Sequence, residues 1–159
     1  MFKIILILFC CTVYSLCESV KFKEEKYINA LQTVLHKEGE LLIYEDNIKL
    51  YYPKEKKSFL FTPNHIVERK GENEKILSYE ENLALNVFSK IIKTIYTNES
   101  EDLKAFFTIE TKKDSTILIP NEPISNLINT IEYKKNNISL EFLRINFTNE
   151  DWIHIIENK

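Results

Sequence analysis

Beyond residue 17 this sequence of 159 residues contains no cysteine; Cys10, Cys11 and Cys17 are its only three. If the first seventeen positions are removed, disulfides, thiol nucleophiles and thiolate metal ligands are all excluded, and stability rests on the core. Two glycines and four prolines leave no room for a flexible linker or low-complexity tract, and no internal repeat is visible. Arginine occurs only at Arg69 and Arg144 and there is no basic tract, which argues against a nucleic-acid partner. His36, His65 and His154 lie far apart, and none has a carboxylate or histidine at metal-ligand spacing. There is no G-x-S-x-G, glycine-rich phosphate loop or H-E-x-x-H. The acid pairs Glu24-Glu25 and Glu80-Glu81 sit where helix first turns are expected, so the helix dipole accounts for them. No catalytic residue, metal ligand or cofactor emerges, and the expectation is a protein that is not an enzyme.

The amino end is informative by contrast. "MFKIILILFCCTVYSLC" places one lysine before an apolar stretch reaching about Leu16, too short for the roughly 20 residues of a membrane span. It reads as a secretory signal peptide, residues 1–17, cleaved after Ser15-x-Cys17. A lipid-anchored cysteine is the rival reading. It requires a small residue before the modified cysteine, whereas Cys17 follows Leu16 and Cys10 follows Phe9; only Cys11, after Cys10, is tolerable. Removing residues 1–17 from the 159 leaves 142, one ordinary domain over 18–159. In that domain 20 basic residues face 24 acidic ones, a formal charge of −4. Asn98, Asn137 and Asn146 fit the glycosylation sequon; about two such matches arise by chance in a chain so rich in asparagine, and they carry meaning only in a eukaryotic host.

Two segments carry helical periodicity. "FKEEKYINALQTVLHKEG" predicts a helix over about Lys23 to His36, with Ile28, Leu31 and Leu35 in one stripe and Gly39 beyond its end. "SYEENLALNVFSKIIKTIY" predicts a helix over about Glu80 to Tyr96. Ala84, Val87, Phe88, Ile91, Ile92 and Ile95 share its apolar face, opposite Ser89, Lys90, Lys93 and Thr94. The remainder reads as some ten short strands. "GELLIYED" and "NIKLYYP" form a hairpin, "KSFLFTP" follows, and "HIVERKGENEKILSY" is a second hairpin turning at Lys70-Gly71-Glu72. After "TNESED" come "AFFTIETK", "STILIP", "NTIEYKK", "NISLEFLRINF" and "DWIHIIE". Within "NISLEFLRINF" the apolar alternation changes phase at Phe142–Leu143, which calls for a bulge, a sheet covered on both faces, or two separate short strands. Connections this short make the strands mostly antiparallel, giving an α+β domain on one large curved sheet or open barrel. The many aromatic residues, among them Tyr51, Tyr52, Phe59, Phe61, Phe106 and Phe107, exceed what a small core needs and suggest an apolar cavity.

The order of elements resembles the periplasmic outer-membrane lipoprotein carrier proteins (LolA-like), in a divergent branch, from Phe22 to about Glu157. Its marks are Phe22, Glu24, Lys26, Leu31, Leu35, Gly39 and Leu41, then Pro53, Asp102-Leu103, "ILIP" at Ile117–Pro120 and "TNEDWIHI". The resemblance implies an incomplete (half) antiparallel β-barrel whose concave face carries a helical lid. It also implies a monomeric periplasmic carrier that shields a lipoprotein or other acylated lipid for outer-membrane biogenesis. Its partners would be an inner-membrane donor complex and an outer-membrane acceptor. The early strand has Lys49 where the main branch uses an arginine to latch the lid. On this reading Val87, Phe88, Ile91, Ile92 and Ile95 line the lid, with Phe59, Phe61, Ile117 and Ile119 on the sheet. The alternative is a non-catalytic protein-interaction module with a filled core.

Overall fold

The computed structural model describes residues 18–97, 101–122, 124–136 and 139–158. The expected signal peptide with its three cysteines, and the sequons at Asn98 and Asn137, lie outside the described residues. From the amino side a meander runs β1 (Glu18–Ile28), β2 (Thr33–Ile43), β3 (Ile48–Tyr52), β4 (Lys57–Phe61), β5 (Ile66–Lys70) and β6 (Asn73–Leu77). The helix α1 (Leu83–Thr97) and the single turn α2 (Glu101–Lys104) then lead to a second meander. It comprises β7 (Phe107–Lys112), β8 (Ser115–Pro120), β9 (Ile128–Lys135), β10 (Leu140–Phe147) and β11 (Trp152–Glu157). The strands form one antiparallel sheet in the order β6-β5-β4-β3-β2-β1-β11-β10-β9-β8-β7. Both chain ends therefore meet at its middle, where Phe22 faces Glu157, and the two edge strands are joined in sequence through α1.

This overturns the α+β expectation. The molecule is mostly one open antiparallel sheet of eleven strands, with a single long helix. The segment expected as a first helix is instead the β1–β2 hairpin, turning through a short 3-10 segment at Asn29–Leu31. Two periodicities compete there, and the period of two wins. Val20, Phe22 and Glu24 are buried while Lys21 and Lys23 are exposed. The helical stripe misleads because Leu31 and Leu35 stay in solvent, at 69% and 41% exposure. Gly39 does not end a helix either. It lies opposite Phe22, and a Cβ there would sit 2.3 Å from the Phe22 ring, so the missing side chain makes room for the ring.

One face of the sheet carries the core. Cross-strand register places Phe61, Ile48, Ile43 and Leu41, Val20, Ile155, Leu143, Tyr133 and Leu118 on the same side. Against it α1 buries Val87, Ile91, Ile92 and Ile95. Ser89 and Thr94, expected on the solvent face, are also buried. Residues 84 to 91 of α1 and the seven adjacent strands β4, β3, β2, β1, β11, β10 and β9 line one common cavity. Eight helical residues are about 12 Å long, and seven neighbouring strands laid flat would be about 29 Å across. The sheet must therefore curve around the helix. The change of phase in β10 is resolved by two register shifts against β9, between Leu140 and Phe142 and between Asn146 and Phe147. They turn Leu140, Leu143 and Ile145 inward and leave Phe142 on the outer face against His154.

Candidate functional site

The helix-facing side of the sheet is filled beneath the second half of α1, where Ile92 is fully buried and Ile95 is 4% exposed. Filling is incomplete on its two flanks. On one flank a cavity of about 200 Å³ lies under the first turns, lined by Leu85, Phe88, Leu50, Phe59, Ile145 and Ile153 among others. On the other a wider cleft of about 540 Å³ is lined by Asn86, Ser89, Lys90 and Lys93 with Thr62, Tyr79 and Asp102. The polar side of the helix borders this cleft, where Tyr79 donates to the Thr62 carbonyl at 2.6 Å and Lys90 lies 3.7 Å from Asp102. Leu85 and Phe88 are half-buried, with Phe88 against Phe61 at 6.1 Å between ring centroids.

The apolar cavity has one polar corner, built by the central hairpin. Glu24, Lys26 and Lys37 all face inward, since Glu24 pairs with Lys37 across the strands and Lys26 is two residues along β1. The Tyr52 hydroxyl donates to Glu24 at 2.6 Å, and Lys37 lies over the Tyr52 ring at 5.2 Å from its centroid. Burial, and then the negative charge and hydrogen bond of Glu24, push the Tyr52 hydroxyl far above the ordinary tyrosine range. Glu24 itself is 6% exposed, so its carboxylate depends on that donor.

The far end of α1 is tied down. Lys135 donates to the Ile95 carbonyl at 3.0 Å and Tyr96 to Glu157 at 3.2 Å. Glu157 also accepts from the Leu140 amide at 2.7 Å. The opposite end of the helix lacks any such tie to the sheet's inner face among the described contacts.

Of the residues expected to line the site, Phe88, Val87, Ile91 and Phe59 border the apolar cavity, and Phe61 borders the polar cleft. Ile92 and Ile95 are packed in the core away from either opening. Ile117 and Ile119 point to the other face of the sheet, Ile119 at 38% exposure, while Leu118 between them is fully buried. Sequence reasoning missed Glu24, Lys26, Lys37, Leu50 and Leu85. The alternation Val20-Phe22-Glu24 was the signal that could have found the polar corner, had it been weighed above the helical stripe. Among the described residues no group of three or more His, Asp or Glu side chains could hold a metal ion. No described helix is long and apolar enough to cross a membrane.

No family model matches the sequence, and no curated protein matches it. Among solved structures, the crystal structure of the Mycobacterium tuberculosis lipoprotein LppX is similar over 90% of this chain and 86% of that one. The TM-score is 0.39 at 11% sequence identity, a likeness that carries no argument about what this protein does.

Proposed function

We propose that the protein is a non-catalytic periplasmic carrier that shelters the acyl part of a lipid or lipoprotein between α1 and the sheet. In this reading an inner-membrane donor loads it and an outer-membrane acceptor unloads it. The supporting observation is the unfilled apolar cavity under the first turns of α1, where Leu85 and Phe88 remain half-buried above Leu50, Phe59 and Ile145. At about 200 Å³ the cavity is only a little larger than one that takes a single benzene, so a full acyl chain requires α1 to move outward. The energies allow that exchange. Burying a chain of about 16 carbons contributes roughly 12 kcal/mol at ~0.8 kcal/mol per methylene. Uncovering Leu85, Val87, Phe88 and Ile91 costs roughly 6–12 kcal/mol at ~1.5–3 kcal/mol each.

The test is native mass spectrometry of the protein purified from a periplasmic extract without detergent. A reproducible added mass, extractable into organic solvent and containing acyl fragments, is expected; it should be lost in Phe88→Glu and Leu85→Glu proteins that keep the circular dichroism of the parent. A clean protein mass, or the same adduct on both variants, would overturn the reading. A clean mass would instead favour an interaction module, the reading supported by the close packing of Ile92 and Ile95 in the core.

A further inference from the structure

We infer that the occupant of this cavity is an anionic amphiphile, an apolar chain ending in a carboxylate or phosphate headgroup held by Lys26 and Lys37. The inference rests on the carrier reading above and adds the headgroup chemistry to it.

Lysines on the inner face of a sheet need a reason. Inward-pointing charges protect edge strands from pairing with other chains, but β1 and β2 are central strands with neighbours on both sides. Lys26 and Lys37 are diagonal neighbours on one face, because Lys26 pairs with Leu35 two residues from Lys37. That geometry sets the two residues about 7–8 Å apart, within reach of one shared anion for side chains this long.

Nor is Glu24 their partner. Its carboxylate accepts from Tyr52, and among the described residues neither lysine forms an ion pair within 4.0 Å. Lys37 makes one recorded contact, over the Tyr52 ring, which leaves its ammonium donors available. Three charged residues line the cavity, two cationic and one anionic. The charge of Glu55 also bears on Tyr52, but Glu55 is not part of the lining. An anion entering beside the lysines would meet two unpaired cations at the border of an apolar chamber, where charge-assisted hydrogen bonds are strongest. A neutral headgroup would leave both cations without an anionic partner.

The experiment measures displacement of the neutral dye N-phenyl-1-naphthylamine from the full-length mature protein by dodecanoate, dodecyl phosphate and dodecanol. At least one of the two anionic ligands should bind about tenfold or more tighter than dodecanol, and the preference should shrink as salt is raised. Lys26→Gln and Lys37→Gln should each reduce the preference, and together they should bring the anionic and neutral ligands level. Lys23→Gln, which removes the same charge from the outer face, should change nothing. Equal affinity for all three ligands, or a preference that survives the double substitution, overturns the headgroup assignment and leaves the acyl reading intact. Failure of the protein to bind the dye and all three ligands overturns both.

Discussion

Glu24 and Tyr52 show how one hydrogen bond decides several properties. The carboxylate is buried beside an apolar chamber, and its recorded hydrogen-bond donor is the Tyr52 hydroxyl. Replacing Tyr52 by Phe keeps the ring that packs edge-on against Phe22 but leaves a buried carboxylate oxygen unsatisfied, at a cost of about 1–3 kcal/mol. Tyr96 makes a similar bond to Glu157 at the end of α1. Burial, and after it the neighbouring carboxylate, raise both hydroxyls in the folded protein. A raised value means the folded state holds its proton longer than the unfolded chain. The contribution is fully present below the ordinary tyrosine value of 10.0 and is lost as the pH climbs above it. Urea midpoints measured from pH 8 to 12 should fall steeply above about pH 10, and the tyrosinate absorbance of Tyr52 and Tyr96 should appear together with unfolding. In Tyr52→Phe the alkaline fall should be shallower, on a baseline already lowered. An equally steep fall in that variant would remove Tyr52 from the explanation.

At the scale of elements, α1 was legible and the first hairpin was not, for the same physical reason. Over Val87 to Ile95 the apolar spacing and the helical burial agree, so the pattern names the element and the buried Val87, Ile91, Ile92 and Ile95, though not the buried Ser89 and Thr94. Over Lys23 to His36 a helical stripe and a strand alternation overlap, and only tertiary contacts choose between them. The Phe22 ring over Gly39 and the eleven cross-strand pairs of β1 with β2 favour the strand. The sheet positions split for a related reason, since alternation groups Ile117 with Ile119 but does not say which face meets α1. What no local pattern carries is how the helix is fastened. Its last carbonyls have no intrahelical donors, and Lys135, forty residues away, supplies one to Ile95 at 3.0 Å. Lys135→Met should cost about 1 kcal/mol. In hydrogen exchange it should speed the final turn of α1 while leaving the turns around Val87 unchanged. Uniform acceleration along the helix would mean that the contact supports the whole element and not its end.

For the whole molecule the decisive feature is the strand order, which brings β1 against β11 although Phe22 and Glu157 stand at opposite ends of the domain. Nothing in a window of twenty residues encodes that pairing, so the sequence could point to an open antiparallel sheet without giving its closure at the centre. The arrangement sets what a ligand can do to stability. The two meanders meet along the β1–β11 pair, and α1 packs across strands from both, so anything that fills the chamber beneath α1 stabilises them together. A ligand that binds only the folded state at about 100 times its Kd adds about 2.7 kcal/mol, which for a domain of this length is a rise of roughly 8 °C in Tm. Calorimetry with dodecanoate should show that rise in the parent protein and none in Phe88→Glu, where a carboxylate would occupy the chamber's apolar roof. A rise in both proteins would place the binding elsewhere on the surface. A fall in the parent would show that the amphiphile prefers the unfolded chain, and α1 would then be a fixed part of the core.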